Sequence, residues 1–229
     1  MTTLGVMARA PVAGKCKTRL SGAVGAEGAA ALYEAMLRDT LDAMQGVGAT
    51  RLVVLAAPED DGVLALRSLV ESPWEIVPQV GTGLGERLVN AFRTLGTDGG
   101  PVVLSDSDSP TVPISPIAQA LHRFVEPRRA IVGPCEDGGY YLIGLTTLEL
   151  GVLEQIPWST AQVMATTRAR CRTLGLSLQE LPVGYDVDDA RDLDRLRAEL
   201  TTHPERAPRT AAAVSRLLVS GGTRDAEPW

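Results

Sequence analysis

The sequence predicts an α/β protein: a mostly parallel central sheet covered by helices on both faces. Short apolar runs alternate with longer segments of helical periodicity along most of the chain, the pattern of strands joined by crossover helices. The 229 residues suffice for one sizeable core. Apolar residues make up 45% and charged residues 22%, ordinary for a globular chain in water.

Each element has its own signal. Leu4 to Met7 is a short strand candidate. Residues 25–46 follow as a helix, with Leu32, Met36, Leu37, Leu41 and Met44 near helical spacing and Gly46 able to end it. "RLVVLAAP" is a second strand closed by Pro58, "GVLALRSLV" a short helix, and "WEIVPQ" a third strand weakened by Pro78. "GLGERLVNAFRTLG" opens on glycines as a helix and closes at Gly96. "PVVLSD" is a fourth strand, and "PIAQALHRFV" a helix with Pro116 near its first turn. "RAIVGPCEDGGYYLIGL" reads as strand, loop, strand. "TAQVMATTRARCRTLG" is a helix, and "LSLQELPVGYDVDD" a late strand and loop. "ARDLDRLRAEL" is a helix with opposite charges at helical spacing. Residues 1–200 form the expected domain; residues 201–229 hold one short helical pattern and then a mobile tail, "SGGTRDAEPW".

Composition excludes several classes. A net charge of −6 and a pI near 5.0 argue against nucleic-acid binding, which needs a basic face. Cys16, Cys135 and Cys171 are scattered and odd in number, so neither a disulfide framework nor a zinc site is expected. The start "MTTLGVMARAP" has no secretory pattern, and no run approaches the ~18 apolar residues of a membrane span. A cytoplasmic protein is expected.

Five motifs can carry chemistry. "APVAGKCKTRLSG" sets Lys15, Lys17 and Arg19 beside Gly14 between the first strand and first helix. Glycine lets backbone approach a phosphate and the basic groups neutralise it; a solvated basic loop has the same composition. It is not the GxxxxGK[ST] loop, because Cys16 stands where that loop needs glycine. In "QVGTGLGERL", Gly81, Gly83 and Gly85 open a helix, which suits an anion or a flat ligand, and equally a structural turn. In "SDSDSP", Asp106 and Asp108 flank Ser107 just past a buried strand. Paired carboxylates can hold a divalent cation that bridges to phosphates, or can begin a turn or helix. "GPCEDGGYYLIG" puts Glu136 and Asp137 before Gly138, Gly139 and Tyr140, a pocket turn or a plain hairpin. "GYDVDDARDLDRL" puts Asp186, Asp188 and Asp189 before the last core helix, one a candidate metal ligand and another a helix cap. Trp158, in "IPWST", is a candidate wall of the acceptor pocket or a core residue.

In order, "GKCKTRL", "QVGTGLGERL", "SDSDSP", "GPCEDGGYYLIG", "IPWST" and "DVDD" resemble the DUF2064 family of glycosyltransferase-like proteins, over roughly residues 3–198. The resemblance implies a GT-A fold: a Rossmann-like three-layer α/β/α sandwich of the nucleotide-diphospho-sugar transferase superfamily. It also implies a nucleotide-diphosphate sugar as donor and a divalent cation, Mg²⁺ or Mn²⁺, as cofactor. Asp106 and Asp108 then resemble a DxD motif. Asp108 is the direct metal ligand, Asp106 contacts ribose or metal-bound water, and Asp188 completes the metal site. Lys15, Lys17 and Arg19 meet the diphosphate; Gln79, Gly81, Gly83 and Gly85 line the nucleoside. The expected binding set extends to Ala8, Arg9, Pro11, Gly14, Ser107, Gly138, Gly139, Tyr140 and Trp158. One departure stands out: "APVAGKCKTRL" replaces the GxGTR-type loop of sugar-nucleotide pyrophosphorylases. Its "KTRL" ending is similar to guanylyltransferases acting on phospholactate or phosphoenolpyruvate.

The expected function is metal-dependent transfer of a sugar to a small-molecule or peptide acceptor, with Asp108 on the metal and Glu136 or Asp137 as base. The alternatives are nucleotidylyl transfer from an NTP to a phosphorylated small molecule, with release of pyrophosphate, and nucleotide-sugar binding without catalysis. One scaffold serves all three.

Overall fold

The computed structural model describes residues 1–57 and 59–221. Pro58, and residues 222–229 of the segment read above as a tail, lie outside the described residues. The elements in chain order are β1 (Thr3–Arg9), α1 (Ser21–Gln45), β2 (Arg51–Ala57), α2 (Glu59–Leu66), β3 (Glu75–Pro78), α3 (Leu84–Leu95), β4 (Val102–Ser105) and α4 (Ile114–His122). Then follow β5 (Arg129–Pro134), β6 (Tyr140–Leu145), α5 (Val163–Leu174), β7 (Ser177–Glu180), α6 (Ala190–Thr202) and α7 (Pro208–Gly221).

The seven strands make one sheet in the order β3-β2-β1-β4-β6-β5-β7. All neighbouring pairs are parallel except those of β6, which runs against both β4 and β5. Apolar strands buried on both faces explain the continuous runs in the sequence. Along β2, Val53 and Leu55 face one cluster with Phe92, Met164 and Cys171 of α3 and α5. Val54 and Ala56 face the other side, with Leu37 and Leu41 of α1. The period of two delivers alternate residues to the two helical layers, completing the α/β/α sandwich that the sequence predicts.

Two boundaries moved. The first helix begins at Ser21 rather than Gly25, and Gly25 adopts φ 76°, ψ 165° at a kink inside it. The second helix ends at Leu66 rather than near Val70. Beyond α6, helix α7 lies on α1: Ala213 and Val214 join Leu32 and Met36 in one buried cluster. Among the described residues no helix is long and apolar enough to cross a membrane.

Candidate active site

The carboxyl ends of β1, β2, β3 and β4 converge on a cavity of about 820 Å³, the place where open α/β sheets bind ligands. The β5–β6 turn and the loop before α6 close its other side. The sheet thus gathers motifs far apart in sequence. Ala8, Arg9, Lys15, Lys17, Arg19, Gln79, Gly83, Asp106, Ser107, Asp108, Asp137, Gly139, Tyr140, Trp158 and Asp188 all line it.

The acidic centre is built by backbone pairing. Asp106 N–H continues the β4–β6 ladder to Tyr141 O at 2.9 Å, and Val187 N–H donates to Asp108 O at 3.0 Å. These bonds bring "SDSD" and "DVDD" side by side. Lys17 Nζ sits between them, 2.6 Å from Asp108 Oδ2 and 2.7 Å from Asp188 Oδ1, its side chain only 7% exposed. Burial alone would lower the lysine pKa, but the two carboxylates outweigh it and hold Lys17 charged, above its usual range. Lys17 also takes a left-handed φ of 44°, unusual for a residue with a Cβ. The family resemblance assigns Lys17 to the diphosphate; in the structure its ammonium faces the acids instead.

Asp106 behaves differently from Asp108. Its Oδ2 accepts from Ser109 Oγ at 2.6 Å. Burial, and then the Asp108 charge, push its pKa well above the ordinary carboxylate value. Burial, followed by Asp108 and Asp188, also pushes Asp186 up to about 6. Cys135 carries a neutral thiol for the same reason: burial first, then Asp106 and Asp186, raise its pKa.

Tyr33, which the motifs did not single out, braces the site from α1. Its hydroxyl accepts from Arg9 N–H at 2.9 Å and meets Ser107 Oγ at 2.8 Å. Ser107 Oγ in turn donates to Met7 O at 2.9 Å, so the basic loop and the aspartate loop hang on one buried phenol. Gln79 is fixed likewise: its amide nitrogen is spent on Ala8 O and Leu55 O, at 3.1 and 2.7 Å.

Six expected residues fall outside the cavity wall. Glu136 points away and is held bidentately by Arg195, at 2.7 and 2.8 Å, whereas its neighbour Asp137 lines the cavity and accepts from Gly139 N–H at 2.8 Å. Pro11 and Gly14 are absent from the cavity wall, and Gly81 offers its carbonyl to Arg87 Nε at 2.9 Å. Gly138 adopts φ 90° under Ala161, where a side chain would overlap the Ala161 carbonyl. Gly85 backs Trp158 so closely that a methyl there would overlap the indole nitrogen. Trp158 in turn meets Tyr140 edge to face, ring centroids 6.2 Å apart. Arg87, Thr82, Ser159 and Thr160 also line the cavity; all four stand inside the motifs "QVGTGLGERL" and "IPWST" without having been picked out there. Asp189 caps α6, accepting from Arg191 and Asp192 N–H at 2.8 and 3.2 Å.

A cation suits this acidic centre. The chain already holds one there, the Lys17 ammonium between Asp108 and Asp188. Cys135, Asp137 and Asp186 also bring possible ligand atoms within 4.8 Å of one another.

A family model described as "Uncharacterized protein conserved in bacteria (DUF2064)" matches residues 40–160, more than half of the chain. The chain belongs to the DUF2064 family. A solved structure from Desulfovibrio desulfuricans G20, provisionally assigned as a nucleotide-diphospho-sugar transferase, shares 30% identity with this DUF2064 protein. It superposes with a TM-score of 0.84 over 96% of this chain and 97% of its own. The nucleotidyl transferase Mth528 of Methanothermobacter thermautotroptrophicus is 13% identical, with a TM-score of 0.61 over 89% of this chain and 99% of its own. Rv0371c of Mycobacterium tuberculosis H37Rv, solved in complex with manganese, is 18% identical, with a TM-score of 0.53 over 85% and 96% of the two chains. At such identities the last two share the fold. No curated protein matches the DUF2064 chain.

Proposed function

We propose that this DUF2064 protein transfers a sugar from a nucleotide-diphosphate donor to an acceptor hydroxyl, with Mg²⁺ or Mn²⁺. The supporting observation is the meeting of Asp108, Asp188, a basic loop and Asp137 in one cavity at the carboxyl edge of the sheet. Asp108 and Asp188 would hold the cation, with Asp106 beside them to contact a ribose hydroxyl or a metal-bound water. The bound cation supplies charge neutralisation for the departing diphosphate. Arg9, Lys15 and Arg19, at the cavity mouth, bind the phosphates and stabilise the charge that grows as the glycosidic C–O bond breaks. The acceptor oxygen then bonds to the anomeric carbon, and its proton passes to the Asp137 carboxylate if configuration inverts. Glu136, neutralised by Arg195, has no part in this scheme. Trp158 and Tyr140 form an aromatic wall for the acceptor, a small molecule or a peptide. Three free cysteines, all buried, suit a reducing cytoplasm.

Incubation with UDP-, GDP- and dTDP-sugars and an acceptor panel should release the nucleoside diphosphate only with Mn²⁺ or Mg²⁺ present. Asp108→Ala should lower turnover at least ~100-fold, the scale of losing one charge-stabilising group; undiminished turnover would remove the metal role. One observation favours a second reading, nucleotidylyl transfer. Lys15 has no ion pair among the described residues and the Arg19 side chain is 77% exposed, cationic capacity that suits a triphosphate. Pyrophosphate released from an NTP, with no release from sugar nucleotides, would select it.

A further inference from the structure

We propose that Lys17 is a displaceable internal counter-ion: it occupies the cation position while the cavity is empty and leaves when a divalent cation arrives, becoming a phosphate ligand. It thereby couples cation binding to diphosphate binding. The proposal rests on the metal-dependent reading above.

Three observations carry it. First, the ammonium stands within 2.7 Å of one oxygen of each of the two carboxylates that would hold the metal. A divalent cation bound to the same oxygens would sit against a like charge unless the ammonium left. Second, the backbone beneath Lys17 is fixed by hydrogen bonds of its own, whereas the hydrogen bonds and ion pairs of the side chain are all made by its ammonium, to the two carboxylates. Lys15 and Cys16 N–H both donate to Val12 O, at 2.9 and 3.2 Å, and Leu20 N–H donates to Lys17 O at 3.0 Å. Cys16 is buried at 3% exposure, so the loop stays put while four side-chain torsions of Lys17 can swing its tip. Third, the swing has a destination. Arg9, Lys15 and Arg19 share the cavity wall with Lys17, and an ammonium expelled from the acids joins them where a diphosphate would lie.

The charges decide the direction. Asp108 and Asp188 with Lys17 sum to one negative charge; with a divalent cation in its place they sum to zero. Adding the cation without removing Lys17 would press a divalent charge and an ammonium against the same two oxygens, a like-charge contact that is unfavourable in a partly buried site even with Asp186 close by. A diphosphate at the mouth attracts the ammonium outward and so opens the acids to the metal. By linkage the metal must strengthen diphosphate binding by the same factor.

The chain helps the test, because Lys15 and Lys17 are its only lysines. Full-length protein would be pulsed with acetic anhydride and the two sites quantified by mass spectrometry, Lys15 serving as the exposed internal reference. Lys17 should be protected in the free protein and label at least tenfold faster at saturating Mn²⁺. In a second measurement, Mn²⁺ affinity is read by electron paramagnetic resonance, with and without inorganic pyrophosphate, correcting for the Mn²⁺–pyrophosphate complex. Wild type should gain at least tenfold in Mn²⁺ affinity with pyrophosphate. Lys17→Met should bind Mn²⁺ at least tenfold more tightly than wild type on its own and lose most of that gain. Unchanged Lys17 labelling at saturating Mn²⁺ overturns the proposal but leaves the metal-dependent reading standing. So does equal or weaker Mn²⁺ binding by a folded Lys17→Met. No Mn²⁺ binding in any condition overturns both. The labelling arm uses only wild-type protein and stands even if Lys17→Met does not fold.

Discussion

Tyr33 is one hydroxyl on which two loops depend. It is buried, and burial pushes its pKa up to about 12, so it stays a neutral phenol at any working pH. Tyr33→Phe leaves the Arg9 N–H without this partner and Ser107 with its bond to Met7 O alone. An orphaned buried donor costs about 1–3 kcal/mol, so urea denaturation should show a loss of that size, with a raised KM for the donor. Gly85 makes a sharper case. Gly85→Ala gains about 1 kcal/mol of helix propensity, offset by an overlap with Trp158 costing about 1–3 kcal/mol. Stability should fall by no more than about 2 kcal/mol, while the displaced indole narrows the acceptor side and raises acceptor KM several-fold with donor KM unchanged. At this scale the sequence was legible in residue types and blind to direction. Glu136 and Asp137 are adjacent acids in one turn, and only Arg195, 59 positions away, decides that the first faces out. Lys17 read correctly as a cation, but a sequence does not say whether a lysine faces a phosphate or two carboxylates of its own chain.

Elements show what caps and tethers contribute. Asp189 and Asp192 form a reciprocal cap on α6, written plainly in "DARD" as an acid followed three residues later by another. The tether of α7 had no such signature. Asp39, in the middle of α1 and 4% exposed, accepts from Thr210 N–H and Thr210 Oγ, each at 2.7 Å, and from Arg209 N–H at 3.2 Å. A helix interior thus caps the start of another helix 170 residues later, a relation no local pattern reveals. Asp39→Ala should strand the two buried Thr210 donors and destabilise the protein by about 2–6 kcal/mol, at about 1–3 kcal/mol for each. In hydrogen exchange, α7 should then lose protection before the sheet does. Strand and helix types were legible throughout because their periods, two and 3.6, are written in single stretches of chain. The start of α1 was not, since the helix runs on through the kink at Gly25; nor was the end of α2, where hydrogen-bonded turns take over after Leu66.

For the whole molecule, charge concentrated at one edge of the sheet has a thermodynamic signature. Asp186 has a folded-state pKa of about 6 against an ordinary 3.8, from burial and then Asp108 and Asp188. The folded state therefore binds more protons than the unfolded chain between those values, and stability falls as pH rises from about 4 to about 6. Asp106 shifts in the same direction. Thermal melts from pH 4 to 7 should show Asp186→Asn losing less stability than wild type over that interval, with the two curves diverging as pH increases. The parallel order of strands was foreseeable from their alternation with helices. The reversal of β6 was not, because a strand's direction is set by which neighbour it joins and not by its composition. That reversal gives the cavity one rim segment tied to adjacent strands at both ends, where the other rim segments run on into helices. That rim is nonetheless latched to two helices, since Met164 N–H of α5 donates to Gly138 O at 2.8 Å and Arg195 of α6 grips Glu136, so single substitutions within residues 135–139, rather than changes of length, are the way to alter what that side of the cavity admits.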